Sequence, residues 1–599
     1  MENRQLSVSL VYTLIAIIFS VLLSRIFYLQ MVEQTELGKI SSQNSVRKIP
    51  VDPARGDIYD RYGEIVVGSQ PRYTVQLTPA NFDRKNTQFL SEIVGVPENT
   101  LNDLINEGIL YNRFAPVKIK RDADFSIINR VEENLWQLTG VELVIENKRR
   151  YPDSFRGAHI FGYTKIISKV MLEKLSKEDY SRNDIIGYSG LERTYEEKLK
   201  GKKGTKLIMV NSLGKFVSDY NGGNENVPSQ NGIDLYTTLD AGLQVVAESL
   251  LTATGKSGAI VAIDPRDGGI LAMVSKPDYD PNLMEGVIDS KLWESLTTGA
   301  AKPLFNRSIQ TRYPPGSTYK MISTLAALEE KIAKPSQTFF CSGRFRFGNK
   351  EFLCHGGKGH GSVDMTKAIE VSCNSYFYNL MFKIGFENWT KYGRLFGFGR
   401  KTGIDIPDEF SAPLPSKEYF DKIYGFRRWT DGYLVSLSIG QGEVGASPMQ
   451  MAVYTAALAN SGLLLKPHFL KGYNDPETGK FISHKIDSTR LPISQSTFDV
   501  VRNGMLRCVE YGTAQIAKVP NVQVAGKTGT AQNPHGDDHA WFISFAPYEN
   551  PSIAIVVMVE NAGFGGVVAA PISGEMMKYY FSNRERKEVA PAQNAITSR

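Results

Sequence analysis

Cysteine is scarce in this chain. Four in 599 residues are too few for a fold held together by disulfides. An excess of charge of one sign is lacking too. Lys and Arg number 69 against 63 Asp and Glu, a formal net charge of +6. At this length that makes no case for nucleic acid, although it would favour an anionic membrane or polymer surface. There is no zinc-finger spacing, no Gly-rich phosphate loop, no low-complexity basic tract and no internal repeat. Finger-type nucleic-acid readers, phosphate-loop enzymes and repeat architectures are thereby excluded. Nor is the chain poor in apolar residues. At 42% hydrophobic and 22% charged it is ordinary globular material, long enough for two or three domains with their own cores.

One long uncharged run stands out. Twenty residues between Arg4 and Arg25, dominated by VSLVYTLIAIIFSVLL, carry no charge, about the length needed to cross a hydrocarbon core as a helix. No small-residue cleavage site follows, and the chain continues as SRIFYLQ. The run therefore reads as an uncleaved anchor over residues 1–30 rather than a removed signal. Its flanking charges are weak guides to orientation, since Glu2 accompanies Arg4.

Residues 31–230 form a mixed, polar region of short segments. PARGDIYDRYGEIV (Pro53 to Val66) reads as strand-turn-strand. In GYSGLERTYEEKLKGKKG (Gly187 to Gly204), Leu191, Tyr195 and Leu199 define one face of a helix ended by Gly201. Both read as packing elements without chemistry. NGGNENVPSQNG (Asn221 to Gly232) reads as a linker and opens a region over 231–585. There GAIVAIDP and GILAMVS predict two strands, helical patterns follow Ser317 to about residue 470, and strands return in WFISFAP and IAIVVMVE. Such an order predicts a sheet closed by strands distant in sequence, with a helical cluster against it. Residues 586–599 read as a disordered tail.

Acyl transfer by a serine needs a nucleophile, a base within reach, a proton route to the leaving amine and donors for the oxyanion. Ser317-Thr318-Tyr319-Lys320 offers the first two on one helix face. Pro314-Pro315-Gly316 signals a helix start, and the apolar MISTLAAL after Lys320 predicts burial that would lower the lysine pKa. The pattern S-x-x-K alone is weak, because it recurs at Ser45/Lys48 and Ser212/Lys215 in polar surroundings. Downstream lie Ser372-Cys373-Asn374 and Lys527-Thr528-Gly529-Thr530. Lys401-Thr402-Gly403 and Lys256-Ser257-Gly258 imitate the last segment, but only Lys527 sits in a strand pattern with a hairpin partner, HAWFISFAP.

These three segments, in this order, resemble the penicillin-binding protein and serine β-lactamase superfamily. The resemblance implies that Ser317 attacks the penultimate carbonyl of a D-Ala-D-Ala stem peptide and Lys320 takes its proton. Ser372 would relay a proton to the departing D-Ala and Asn374 would hold the acyl chain. Lys527 would set the local potential, and Thr528 and Thr530, flanking Gly529, would bind the terminal carboxylate. The N–H groups of Ser317 and Thr530 would form the oxyanion hole.

RGDIYDRYG, GYSGLERTYEEKL and SIGQGEVGASPMQMA are similar to segments of the class B members, and PPGSTYK and SCNSYFYNLMFKIG to its elongation branch more than its septal one. What this implies is an α/β (α+β) multidomain protein: a transmembrane helix, a mixed α+β pedestal, and a penicillin-binding, serine β-lactamase-like transpeptidase domain. That last domain is an antiparallel sheet flanked by helices with an all-α subdomain. The implied setting is the inner (plasma) membrane, crossed once, with the catalytic domain periplasmic. The implied partners are peptidoglycan stem peptides, β-lactams, a polymerising glycosyltransferase and other elongation-complex membrane proteins, with no nucleic acid. The alternatives are a D,D-carboxypeptidase or septal-type transpeptidase and, further off, a silent scaffold or penicillin sensor.

The chemistry needs no cofactor, yet Cys341, Cys354, His360 and Cys373 crowd into 33 residues. Thiolate and imidazole ligands in a set of four suit a closed tetrahedral zinc site. A Cys341–Cys354 disulfide is the alternative, and His355 the rival nitrogen ligand. Cys508, alone in a helical stretch, reads as simply buried.

Overall fold

The computed structural model describes residues 2–31, 46–175, 180–181, 184–211, 216–286, 288–426 and 428–583. Ser45, Ser212, Lys215 and the tail 586–599 lie outside the described residues.

Helix α1 spans Glu2–Met31, and its stretch Ser9–Met31, 23 residues, is long and apolar enough to cross a membrane. At 1.5 Å per residue that is about 34 Å. Leu14, Ile18 and Phe19 on it are exposed, so no protein core accounts for their hydrophobicity.

The chain folds as two compact units, each built from separated segments: 1–54, 70–148 and 201–231 in the first; 55–69, 149–200 and 232–599 in the second. In the first unit, Gly204–Val210 is the middle strand of an antiparallel sheet between Val46–Val51 and Phe216–Asp219. The stretch read as a linker is ordered, since Val227 and Gln230 pair back onto Thr205 and Lys202. A second core gathers Leu77, Leu90, Leu101, Ile105 and Val131 from a strand and three helices.

In the second unit, the RGD segment does form strand-turn-strand: Ile58 pairs Val67 and Tyr59 pairs Ile65. The single helix expected over Leu191 to Leu199 is instead two short ones, Gly190–Thr194 and Glu196–Leu199, broken at Tyr195. The Tyr195 hydroxyl donates to Asp405 Oδ2 at 2.7 Å, and that tertiary bond outweighs local helical continuity.

The centre of this unit is a five-stranded antiparallel sheet. Strands β1 (Gly258–Ile263) and β2 (Ile270–Lys276) form the early hairpin; β3 (Ala525–Ala531), β4 (His539–Ala546) and β5 (Ile553–Val559) arrive some 250 residues later in the order β2-β1-β5-β4-β3. Side-chain alternation makes the sheet apolar on both faces. Ala554, Val556 and Met558 of β5 join one core; Ile555, Val557 and Val559 join the other. On the second face lie α2 (Ala241–Ala253) and, from the chain end, a helix over Gly565–Ser582. The first face carries the helical subdomain: α3 (Lys320–Glu329), α4 (Met365–Glu370), α5 (Asn374–Leu395) and α6 (Pro448–Ala459). Helix α7 (Gln495–Glu510) contributes to both cores, with Phe498 on one side and Cys508 on the other. Strand β3 is thus an edge strand whose free side is available to line a cleft.

Candidate active site

The Pro-Pro-Gly entry makes a tighter turn than an ordinary helix start. Gly316–Tyr319 is 3₁₀, and α3 begins at Lys320. In a 3₁₀ turn residues i and i+3 eclipse, so Ser317 and Lys320 are stacked on one side. Gly316 adopts φ +58°. A Cβ there would lie 2.6 Å from the carbonyl oxygen of Thr530, and one on Gly529 would lie 2.9 Å from that of Pro315. Two glycines therefore let the Ser317 turn and the edge strand approach backbone to backbone.

Lys320 is completely buried. Its Nζ donates to Asn374 Oδ1 at 2.6 Å, to the Ser372 carbonyl oxygen at 2.9 Å and to Ser372 Oγ at 3.2 Å. All are neutral acceptors. Burial pushes its ammonium well below the ordinary lysine range, and the nearby Lys527 pushes it further down. Ser317 is half-buried, and among the described residues its hydroxyl has no hydrogen-bond partner. Apo sites often hold such bonds open until substrate binds.

Ser372 has φ +56°, uncommon for a residue with a side chain. That turn, between α4 and α5, brings its carbonyl and hydroxyl to Lys320 together, with Asn374 as the first residue of α5. Lys527 lies on β3 as read from the sequence, in register with Ile543 of β4. It is completely buried, burial lowers its pKa, and its Nζ donates to the Thr528 carbonyl at 3.0 Å. Thr528 is 9% exposed, and its hydroxyl lies 2.7 Å from that of Thr513. Of the two imitations, Lys401-Thr402-Gly403 is outside any strand, with its Thr402 and Gly403 N–H groups donating to Glu409. Lys256-Ser257-Gly258 precedes and enters β1.

Gln441 was not foreseen as a site residue. Its Nε2 donates to the Thr530 carbonyl at 2.8 Å, and its Oε1 accepts from Gln532 N–H at 3.2 Å. The neighbouring Gly440 carbonyl accepts from Gly316 N–H at 2.9 Å. The segment SIGQGEVGASP thus ties the Ser317 turn to the edge strand. Its glycine-rich run was a visible signal without a visible partner.

The Cys/His set assembles as predicted. The ligand atoms of Cys341, Cys354, His360 and Cys373 all lie within 4.8 Å of one another. His360 Nδ1 is 3.6 Å from Cys341 Sγ and 3.5 Å from Cys354 Sγ, and the sulfurs of Cys354 and Cys373 are 4.0 Å apart. A tetrahedron with Zn–S of about 2.3 Å has edges near 3.5–3.8 Å; the two His360 separations match them, and the widest donor pair needs to close by only about 1 Å for the set to fit a zinc ion. All four cysteines of the chain are free thiols, and the alternative disulfide is not formed. His355 stacks edge-on against His360 at 5.3 Å but is outside the set. Cys354 Sγ also accepts from the Asn374 N–H at 3.2 Å. Cys508 is buried on α7, as expected.

Comparison with known proteins bears on this arrangement. Residues 258–578 match the penicillin binding protein transpeptidase domain family, and residues 50–237 the penicillin-binding protein dimerisation domain family. A relative named peptidoglycan D,D-transpeptidase MrdA, from Haemophilus influenzae, is 33% identical over 95% of this chain and 90% of its own. The penicillin-binding protein PBP2 of Helicobacter pylori, solved in complex with MreC, superposes with a TM-score of 0.78 at 28% identity, covering 90% of this chain and all of that one. A structure described as the coordination of polymerization and crosslinking by a peptidoglycan synthase complex gives 0.72 at 26% identity, over 97% and 99% of the two chains.

Proposed function

This chain belongs to the class B penicillin-binding proteins, and from that premise we propose that it crosslinks peptidoglycan stem peptides during cell elongation as a D,D-transpeptidase. The single observation that carries the reading is Lys320: an amine buried completely, held by neutral oxygens, with a second lysine depressing its proton affinity. Such an amine can accept a proton at neutral pH.

Ser317 Oγ attacks the penultimate D-Ala carbonyl carbon while its proton passes to Lys320 Nζ. The N–H groups of Ser317 and Thr530 receive the oxyanion, a contribution typically of several kcal/mol. The C–N bond breaks, and the proton held on Lys320 Nζ passes through the Ser372 hydroxyl, 3.2 Å away, to the departing D-Ala amine. An acceptor amine then attacks the ester carbonyl and regenerates the Ser317 hydroxyl. Asn374 aligns the acyl chain. Lys527, Thr528 and Thr530 hold the terminal carboxylate, Lys527 through local potential and the threonines through hydroxyls, with Gly529 allowing close approach. β-Lactams enter the same route as acylating mimics. The water-accepting reading, a D,D-carboxypeptidase, differs only in the last step.

Cys341, Cys354, His360 and Cys373 are the residues that would hold zinc. A closed site of this kind supplies structure rather than chemistry. Cys354 would then be fixed, and with it the Asn374 amide that donates to its sulfur. We assign residues 31–230 to the pedestal and 231–585 to the transpeptidase domain. The helix α1 supports a single membrane crossing, and on this reading the transpeptidase domain lies outside the cytoplasm. The MreC complex and the synthase complex support elongation-complex membrane proteins and a polymerising glycosyltransferase as partners.

Fluorescent penicillin should label the wild type, and Ser317→Ala should abolish the label. With a D-Ala-D-Ala donor and an amine acceptor together, crosslinked product should exceed hydrolysed product. Absence of label, or label persisting in Ser317→Ala, overturns the reading; a product pool dominated by hydrolysis makes the protein a carboxypeptidase instead.

A further inference from the structure

Among the described residues Thr528 Oγ1 has one hydrogen-bond partner, and that partner belongs to none of the three motifs. It is Thr513 Oγ1, 2.7 Å away, which itself lies 3.3 Å from Cys508 Sγ. Strand alternation places Thr528 on the opposite side of β3 from Lys527, the side where Cys508 and Ala514 belong to the second core. The turn carrying Thr513 follows α7 directly and is not loose. Arg507, at the end of α7, donates through Nε to Glu370 Oε2 at 2.8 Å, and Glu370 is only 1% exposed. Glu370 ends α4, two residues before Ser372. One short segment, 507–513, therefore touches both the Ser372 turn and the edge strand.

A threonine hydroxyl carries one proton and two lone pairs. At 2.7 Å the Thr513–Thr528 contact is a full O–H···O bond, and one of the two must spend its proton on it. If Thr528 donates, lone pairs are what it turns to the cleft, and an approaching carboxylate is repelled. If Thr513 donates, the Thr528 proton is left free, and the Cys508 S–H can complete the chain by donating to Thr513. An anion in the cleft selects the second direction. Without Thr513, the Thr528 hydroxyl can turn to its own backbone, as threonines do when no partner holds them.

We propose that Thr513 is a positioning residue for substrate recognition: it donates to Thr528 Oγ1 and so leaves the Thr528 proton aimed at the substrate's terminal carboxylate. The proposal rests on the transpeptidase reading and names how that site recognises the anionic end of its substrate. Thr513 touches no substrate itself. Cys508 sits at the far end of the chain and, as a weak donor, is a minor member.

The test is the acylation rate of the full-length protein by benzylpenicillin and by its methyl ester, whose carboxylate is masked. In each variant the ester reports the competent site, and the acid-to-ester ratio reports recognition of the anion. Thr513→Val, and Thr513→Ala as a second variant in case the first misfolds, should lower that ratio about tenfold. Thr513→Ser should restore it, and Cys508→Ala should change it less than about threefold. A ratio unchanged in both Val and Ala variants, or acid and ester rates falling together, overturns the proposal and leaves the transpeptidase reading standing. If neither compound acylates the wild type, the transpeptidase reading itself fails, and this proposal with it.

Discussion

Around Glu192 the second unit buries two guanidinium groups against two carboxylates, whereas around Lys320 it buries two ammonium groups against none. Arg55 lies 2.6 Å from carboxylate oxygens of both Glu192 and Glu196, and Arg149 Nε lies 2.6 Å from Glu192 Oε1. Burial alone would raise the Glu192 pKa, but Arg149 and Arg55 outweigh it and hold the carboxyl below its usual range. At Lys320 burial meets no carboxylate and Lys527 adds to it; only Cys354 and Cys373 pull the other way, and they are outweighed. Balanced charges stay ionised and hold the RGD and GLERTYEE segments together. Unbalanced ones give up a proton, and that is what a general base needs.

The largest effect that would break this contrast falls on the unbalanced side. Lys320→Met should slow penicillin acylation by about 10²–10⁴-fold, the span of a lost general base, while leaving the protein folded. Acylation within about threefold of wild type, measured by stopped-flow labelling, would mean that Lys320 is not the base.

On the balanced side the effect is on stability. Glu192→Ala leaves two guanidinium groups without their shared carboxylate, and breaking a buried pair in this way costs about 3–5 kcal/mol. Denaturant unfolding of the soluble region should show it as a lowered midpoint, with acylation by the surviving folded fraction unchanged. A loss below about 1 kcal/mol would make the cluster an ordinary surface pair.

How much of this was legible in the sequence follows from distance along the chain. Ser317 and Lys320 are one turn apart, and Ser372, Asn374 and Lys527 announce themselves by their flanks. The four zinc-type ligands were legible because thiols and imidazole crowded where both are otherwise rare. Arg149 was not, since its partner Glu192 lies 43 residues away and neither belongs to a repeated pattern. Gln441 reaches Thr530 across 89 residues. The break at Tyr195 needed Asp405, 210 residues on, to be seen. Local periodicity predicts elements and motif clusters; single long-range side-chain bonds leave no periodic trace.

A smaller effect sharpens the contrast by removing an accessory rather than a charge. Cys354→Ala deletes both a candidate zinc ligand and the sulfur that accepts from Asn374 N–H. Acylation should fall about 10–100-fold, as for groups that orient a site without entering the chemistry. Chelation of the wild type should reproduce the fall and lower the melting temperature. Metal analysis showing no bound zinc, with Cys354→Ala fully active, would reduce the cluster to packed thiols.

The smallest effect is on the pH dependence of stability, and its sign separates the two clusters. Lys320 has a folded pKa below the unfolded value of about 10.4. Between those two values the unfolded chain binds more protons than the folded one, so stability rises with pH. The destabilisation is fully present at and below the folded pKa and fades as pH climbs toward the ordinary lysine range. Glu192 is the reverse in origin: its folded pKa is depressed, so its contribution is present above the unfolded carboxyl value of about 4.3 and is lost as pH falls through the folded one. Lys320→Met should therefore melt higher than wild type near neutral pH, with the advantage shrinking steadily under alkaline conditions, whereas Glu192→Gln should show a nearly pH-independent deficit across the same range. A melting-temperature difference for Lys320→Met that does not narrow with rising pH would mean the buried amine keeps its proton, and the distinction between balanced and unbalanced burial would collapse.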